Sequence, residues 1–509
     1  MKRYLLSFII LLSSLTTNAQ DKGLDQRIDE AFKPISDFFS KYVFYPIGDY
    51  PFVIYLLVGS ALFFTIYFAF PNIKYFWTAI NVVRGKYDDL DKSESGNKEG
   101  EVSHFQALAT AVSGTVGNGN IAGVALAIAI GGPGATFWMI VCGLLGMSTK
   151  FVECTLGVYF RDVDKDGVVY GGPMYYISKG LESKGFKTLG VIAGSLFAVF
   201  CIGGSFGGGN AAQSNTATIA IKQLLGLEST SAGAIIGLIM AGIVGLIIIG
   251  GIKRIALVTE KVVPFMALLY VLACVYILAI NFSFIDDAVT LIINEAFNPT
   301  AIGVGGIIGV LMIGFQRAAF SNEAGAGSAS IAHSAVKTKY AASEGLVALL
   351  EPFIDTVVIC TMTALVIIIF NFGGYFEYGG DGLGNIFIDG VAFEGPEITQ
   401  RAFKEFIPYS SVFLTIAIVL FAVSTMISWS YYGLQSWKFL FGRGKVADLT
   451  YKVLFLIFVV IGSAASMNSI WAFSDAMIFA MVFPNMIGLY FLFPIVKQEL
   501  KKYLQAIKK

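Results

Sequence analysis

The segment that most constrains this chain runs from His104 to Ile130 and reads HFQALATAVSGTVGNGNIAGVALAIAI. It is apolar and long enough to cross a bilayer, yet glycine and asparagine fill its middle, and both disfavour a helix interior. Backbone N–H and C=O groups released by a broken helix are too costly to expose to lipid. The break must therefore be buried in protein or line a cavity, where free amides and carbonyls can bind a small ligand or an ion.

The remainder of the chain has the composition of a membrane protein. Of its 509 residues 56% are hydrophobic and only 14% are charged, and long uncharged runs recur throughout. This pattern predicts an all-α polytopic membrane protein. The 35 basic and 35 acidic residues balance, which argues against a nucleic-acid partner. Because the sequence contains no GxxxxGK[ST] motif and no cysteine–histidine ligand cluster, we expect no cofactor and any uphill transport to use an ion gradient.

The N-terminal region has the layout of a secretory signal peptide over residues 1–20, with a basic pair before the apolar run YLLSFIILLSSL. An uncleaved first anchor is the alternative. The pattern then predicts an extracytoplasmic segment over residues 21–50, an extra transmembrane helix over residues 51–70 and a basic cytoplasmic loop over residues 71–103.

Ten further apolar segments follow, which gives roughly eleven spans in all. They divide into two units of five, residues 104–282 and 301–495, and an odd number per unit requires the second unit to be inverted in the membrane. The second unit also opens with a glycine-interrupted helix, Gly303 to Phe315. We expect an external loop over residues 372–407 and a cytoplasmic tail over residues 496–509, because lysine and arginine concentrate in the predicted inner loops. Paired interrupted helices in inverted halves are typical of secondary transporters with a midplane site.

Polar residues at membrane depth supply candidate ligands around this break. Ser424, Thr425 and Trp429 lie on one predicted span, where the hydroxyls either bond to their own helix or offer oxygen to Na⁺, a hard cation. Asn210 and Gln213 lie in a glycine-rich span and either bind substrate or form interhelical hydrogen bonds. The break itself has an alternative reading as close helix packing, but its two asparagines favour binding.

Three acidic residues also lie in apolar segments, namely Glu153, Glu351 and Asp355. Ionisable groups are costly within a membrane, so such residues are often proton carriers. Structural pairing with Lys150 or Arg161 is the simpler interpretation and the one favoured by the sequence.

These motifs resemble the signatures of the alanine/glycine:cation symporter family of the amino acid–polyamine–organocation superfamily. The resemblance extends over about residues 100 to 495 in the same order as in the family. It is carried by GNGNIAGVALAIAIGGPGATFWMIVCGLLGMSTKFVECTLGVYFR (117–161), GGPMYYI (171–177), FSNEAGAGSASIAHSA (320–335), LLEPFIDTVVICTMTALVI (349–367) and STMISWSYYG (424–433). It implies a leucine-transporter-like 5+5 inverted repeat preceded by one extra N-terminal transmembrane helix.

The resemblance also implies a site. The substrate carboxylate is expected at Gly117, Asn118 and Gly119, although many family members have threonine where this chain has Asn118. The rest of the pocket is expected to be formed by Gln213, Gly314, Phe315, Thr425 and Trp429, with the second helix break near Gly314. A Na⁺ site is expected at carbonyls near Ser113 and Val116 with a hydroxyl of Ser424 or Thr425.

The sequence thus predicts a sodium-coupled symporter that imports small neutral amino acids, alanine and glycine, by alternating access. We expect a monomer in a bacterial inner membrane, bound to lipid on all sides, with its N-terminus outside and its C-terminus in the cytoplasm. The alternatives are a proton-coupled transporter of another small amino acid and a gated channel. A membrane enzyme is disfavoured because no catalytic base or metal set is visible.

Overall fold

A computed structural model describes residues 24–91, 100–227, 230–300, 305–381, 384–393, 395–464 and 468–508. The predicted signal peptide, residues 1–20, lies outside the described residues. The helices are α1 (Leu24–Val43), α2 (Phe52–Tyr67), α3 (Pro71–Lys74), α4 (Phe76–Val83), α5 (His104–Thr115), α6 (Ala122–Gly131), α7 (Gly134–Tyr159), α8 (Pro173–Ser183), α9 (Lys187–Phe206), α10 (Ala212–Leu225), α11 (Thr230–Ile248), α12 (Gly251–Ile280), α13 (Ile285–Phe297), α14 (Gly306–Asn322), α15 (Ala329–His333), α16 (Ala341–Ala348), α17 (Leu350–Pro352), α18 (Thr361–Asn371), α19 (Gly395–Phe406), α20 (Ser410–Phe441), α21 (Lys445–Ala464) and α22 (Asn468–Ala506).

Short irregular segments and strands connect these helices. Within the described ranges, two π-helical segments and three 3₁₀ turns interrupt or link them, at Gly207–Ala211, Phe353–Cys360, Asp88–Asp91, Asn118–Asn120 and Phe282–Phe284. The strands form three antiparallel two-stranded hairpins, β1 (Pro46–Ile47) with β2 (Tyr50–Pro51), β3 (Asp162–Val163) with β4 (Val169–Tyr170), and β5 (Ile386–Ile388) with β6 (Val391–Phe393).

The long helices are apolar enough to span a membrane. Among the described residues seven spans meet that criterion by length and composition, and the pair α5–α6 makes an eighth if it is counted as one broken span. Shorter apolar helices include α2 and the 232–248 part of α11. Large apolar side chains are exposed along several of these helices, as on Leu238, Leu246 and Leu268, because such a surface faces lipid and not water.

The broken span is fixed at both ends. Ser103 and Gln106 form a capping box that starts α5, with the Ser103 hydroxyl accepting from the Gln106 N–H at 3.2 Å. The helix ends at Thr115, and α6 continues after a bend of 59°. The predicted interruption between Ser113 and Asn120 is therefore present, and its residues are buried.

The second interrupted helix breaks later than predicted. Helix α14 is continuous through Gly314 and ends at Asn322, and the chain turns at Glu323, Gly325 and Gly327, which all have positive φ. Gly314 instead allows close packing against α7, because a Cβ there would lie 2.6 Å from the Ala135 carbonyl oxygen. The glycine that suggested a break is a packing contact, and the prediction of a break near Gly314 is wrong.

The peripheral segments pack on this bundle. Helix α1 lies against α22, and the Phe44 and Phe479 rings approach to 5.4 Å between centroids. Helix α19 packs on α6, and the Thr399 hydroxyl donates to the Ile121 carbonyl at 3.1 Å. Helix α22 continues to Ala506, so most of residues 496–509, expected as a tail, extend the last helix.

Candidate functional site

A small cavity lies at the break between α5 and α6. Its volume is about 20 Å³, room for little more than one water molecule. An alanine-sized ligand would therefore require the walls to separate. Residues from α5–α6, the π-helical turn before α10, the end of α14, α20 and α22 line it, namely Gly114, Thr115, Gly117, Gly119, Gly208, Gln213, Phe320, Ser321, Glu323, Thr425, Trp429 and Ile478.

Asn120 holds the break open. Val116 and Gly117 have extended backbone angles, so the chain leaves the helical path at these two residues. The Gly117 N–H then donates to the side-chain oxygen of Asn120 at 2.8 Å. The Asn120 amide nitrogen donates to the Asp355 carboxylate at 2.6 Å and to the Ser321 hydroxyl at 3.1 Å. One asparagine thus replaces the lost helical hydrogen bond and ties the break to two other helical segments.

Asp355 completes a buried polar cluster behind the cavity. Its carboxylate accepts from the Ser321 hydroxyl at 2.8 Å and from the Thr356 hydroxyl at 2.7 Å, besides the Asn120 bond. Thr356 in turn accepts from the Asn322 amide at 2.9 Å. All of these side chains are buried. Hydrogen bonds satisfy both carboxylate oxygens, as a buried polar group requires.

On the opposite wall, α20 contacts the carbonyls freed by the break. The Thr425 hydroxyl donates to the Ser113 carbonyl at 3.1 Å. The Ser424 hydroxyl turns back to the Phe421 carbonyl of its own helix at 2.9 Å, while the Ser113 hydroxyl donates to the Ser424 carbonyl at 2.8 Å. Of the two adjacent hydroxyls, only that of Thr425 therefore faces the break.

Trp429 and Gln213 close the remaining sides. The Trp429 indole N–H donates to the Gly114 carbonyl at 3.3 Å, and its ring is 1% exposed. The Gln213 amide nitrogen donates to the Gly208 carbonyl at 2.9 Å, whereas its oxygen is buried and has no hydrogen-bond partner among the described residues. That oxygen lies 3.5 Å from the position of a Cβ on Gly117, so an unused acceptor faces the break.

Three residues of the predicted substrate site do not line the cavity. The Asn118 side chain is buried and neither of its amide atoms is hydrogen-bonded within the described part of the chain, but it is not part of the cavity wall. Gly314 packs against α7, as described above. Phe315 is 4% exposed, and its carbonyl oxygen on α14 is 3.8 Å from the Cys142 thiol on α7. The structure therefore brings together Gly117, Gly119, Gln213, Thr425 and Trp429, with Ser113 and Val116 beside them at the end of α5.

Sequence reasoning missed the wall contributed by α14 and α22. Phe320, Ser321 and Glu323 lie at the end of α14, and Ile478 lies on α22. Glu323 is buried and accepts a short hydrogen bond from the Ser328 hydroxyl. The available signal was the run Glu-Ala-Gly-Ala-Gly, because Gly325 and Gly327 have the positive φ that marks the true end of the helix.

The other acidic residues predicted at membrane depth form structural pairs. Lys150 donates to Glu351 at 3.0 Å, and both side chains are fully buried. Glu153 accepts from the Asn485 amide at 2.7 Å. Arg161 donates to the Ser334 and Val336 carbonyls. The favoured interpretation, pairing with Lys150, is present for Glu351.

The sequence profile of the sodium:alanine symporter family matches residues 33–509. The chain belongs to this family. It is 38% identical over 459 residues to the sodium/alanine symporter AgcS of Methanococcus maripaludis, covering 90% of this chain and 95% of the relative. It is 33% identical over 476 residues to the amino-acid carrier protein AlsT of Bacillus subtilis, covering 93% and 91%. The predicted family is confirmed.

A solved structure supports the fold. The manganese transporter of Eremococcus coleocola, at 14% identity, superposes with a TM-score of 0.50 over 76% of this chain and 78% of that chain. The prediction of an all-α polytopic protein of the leucine-transporter fold is confirmed, without fixing the number of spans. As a member of this family, the chain is a multi-pass amino-acid:cation transporter and not an enzyme.

Proposed function

We propose that this symporter imports alanine and glycine together with Na⁺ by alternating access across a bacterial inner membrane, with its N-terminus outside and its C-terminus in the cytoplasm. The observation that carries the proposal is the cavity at the α5–α6 break, because freed backbone groups, the unused Gln213 oxygen and the Trp429 ring converge there. Half-helix ends at such a break are suited to the charged groups of a zwitterion.

The proposed substrate position follows from the chemistry of the walls. The backbone amide at Gly119 suits the carboxylate, whereas the Gly117 N–H is already bonded to Asn120; the acceptor oxygen of Gln213 suits the ammonium group. Trp429 occupies the space that a larger side chain would need, so small amino acids are favoured by exclusion. Such exclusion can be strong, whereas lost contact discriminates by only about 1–3 kcal/mol per methylene.

The proposed Na⁺ position lies between α5 and α20. The Ser113 carbonyl oxygen and the Thr425 hydroxyl oxygen are 3.1 Å apart, and Val116 adds a second backbone carbonyl at the same helix end. Hard cations prefer oxygen ligands. With its hydroxyl bonded to Phe421, Ser424 is a weaker candidate than Thr425.

Proton coupling is the second candidate, and Glu323 favours it. This carboxylic acid lines the cavity, and Asp355 lies one layer behind Ser321. Acids at membrane depth are common proton carriers. Glu323, however, is already bonded to Ser328, and the cavity oxygens nearest the break belong to carbonyl and hydroxyl groups.

Uptake of labelled alanine into proteoliposomes tests both candidates. Vesicles receive an inward Na⁺ gradient, an inward proton gradient, both or neither. We expect concentrative uptake with the Na⁺ gradient that collapses when Na⁺ is equal on both sides. Uptake driven by the proton gradient alone would mean that the coupling ion is a proton and not Na⁺. Downhill flux that never exceeds equilibrium would point to a channel and contradict the symport mechanism.

A further inference from the structure

A second cavity, far larger than the first, lies where α2 and α22 end. Its volume is about 500 Å³. It opens at the side of the protein where the sequence predicts the cytoplasm, and it shares no lining residue with the cavity at the α5–α6 break. The cation and amino-acid path described above therefore leaves this cavity unexplained.

This second cavity is lined by basic side chains and by apolar ones. Lys497, Lys501 and Lys508 contribute the charge, and no acidic residue is among the described residues that line it. Lys497 and Lys501 lie one turn apart on the same face of α22, and Lys508 follows the end of that helix at Ala506. Among the described residues no carboxylate forms an ion pair with these three lysines. Like charges four residues apart on a helix repel each other, so a bound anion would reduce the repulsion between Lys497 and Lys501.

The floor of the second cavity suits a lipid better than a soluble anion. Tyr67, Phe68 and Leu500 line it, and the Lys497 ammonium lies 4.6 Å from the centre of the Tyr67 ring. The two short helices that follow α2 each carry one large exposed apolar side chain, Ile73 on α3 and Trp77 on α4, and each is 73% exposed. Aromatic and aliphatic side chains exposed beside lysines are typical of the membrane–water interface.

We propose that this second cavity binds the phosphate group of an anionic phospholipid, with the three lysines around the phosphate and the acyl chains leaving over the apolar floor. Basic pockets between transmembrane helices bind such headgroups through charge. Bound lipid would link the end of α2 to the end of α22, and α22 also carries Ile478 at the transport cavity.

Native mass spectrometry of the detergent-purified full chain tests this site with two probes, phosphatidylglycerol and phosphatidylcholine. We expect preferential retention of phosphatidylglycerol, weakened about fivefold by each of Lys497→Gln and Lys501→Gln. Lys502→Gln is the matched control, because Lys502 is adjacent on the same helix, faces Glu499 at 3.7 Å and does not line the cavity. We expect Lys502→Gln to leave retention unchanged, and Lys501→Arg to preserve it.

Three outcomes overturn the proposal. Equal loss in Lys501→Gln and Lys502→Gln would mean that net charge and not the cavity attracts the lipid. Equal retention of the two lipids by the unmodified chain would mean that the cavity does not recognise the anionic headgroup. Competition by inorganic phosphate that displaces all the bound phosphatidylglycerol would identify a soluble phosphate as the occupant. Thermal melting of each variant, expected to match the unmodified chain because these lysines are exposed, excludes misfolding as the cause.

Discussion

A methyl group added at Gly209 should close the proposed substrate site from behind. Gly209 lies in the π-helical segment Gly207–Ala211, and a Cβ there would be 2.2 Å from the Trp429 Cγ and 2.3 Å from its Cβ. Neither atom moves when the indole rotates about the Cβ–Cγ bond, so that rotation cannot relieve the clash. Either Trp429 moves toward the 20 Å³ cavity or the π-helical segment shifts away from it.

The size of this effect follows from the cost of overpacking. Adding a methylene to a well-packed interior typically costs about 1–3 kcal/mol. If the cost appears when the walls must separate around substrate, it corresponds to about a 5- to 150-fold weaker apparent affinity for alanine. We expect Gly209→Ala to raise the alanine concentration for half-maximal uptake by that factor, and to lower the melting temperature.

The assay is the concentration dependence of labelled alanine uptake in proteoliposomes, with thermal melting of the same preparation. Gly123→Ala is the matched control, because Gly123 lies on α6 with open space where its Cβ would be. In that variant the alanine concentration for half-maximal uptake and the melting temperature should both be unchanged. If Gly209→Ala and Gly123→Ala gave the same uptake curve and the same melting temperature, Trp429 would not be held as the structure has it, and the proposed size exclusion would fail.

Three further perturbations have defined outcomes. Thr425→Ala should raise the Na⁺ concentration for half-maximal uptake more than Ser424→Ala does, because only the Thr425 hydroxyl reaches the Ser113 carbonyl. Equal effects of the two substitutions would mean that Na⁺ does not bind at the Thr425 hydroxyl. Trp429→Ala should let serine, valine or leucine compete with labelled alanine, and loss of alanine uptake with no new competitor would make this residue a contact only. Lys150→Met should destabilise the protein by about 3–5 kcal/mol in denaturant titration, since it removes the ammonium group 3.0 Å from the buried carboxylate of Glu351 and leaves only the more distant His333, at 3.7 Å, beside it, whereas adding Glu351→Leu should recover part of the loss.

The first helix break could be predicted because its signal is local. Gly117, Gly119 and the asparagines beside them disfavour a helix wherever they occur, and lipid forbids exposing the freed backbone groups. What the sequence could not provide was the direction of each side chain. Asn120, not Asn118, makes the hydrogen bonds that hold the break, although both are asparagines flanked by glycine.

The second break was misplaced for a related reason. Glycine in a membrane helix marks either an interruption or a close approach between helices, and only the neighbouring helix decides between them. At Gly314 the neighbour is the backbone of Ala135, and at Gly325 the positive φ reveals a turn. Glu323 was overlooked because a charged residue beside these glycines resembles a solvent-exposed loop, whereas the fold returns it to the centre of the bundle.

The two breaks meet, and this arrangement bears on how transport can occur. Asn120 belongs to the first break and Ser321 to the helix end at the second, and they are joined at 3.1 Å. Both also contact the carboxylate of Asp355 in a third segment, which is π-helical. Because buried polar groups must stay partnered, neither break can separate from the cluster without exposing an unsatisfied group of the other. In the proposed transport cycle, a substrate or ion that changes the geometry at Gly117 would therefore act on both helix breaks through one set of hydrogen bonds.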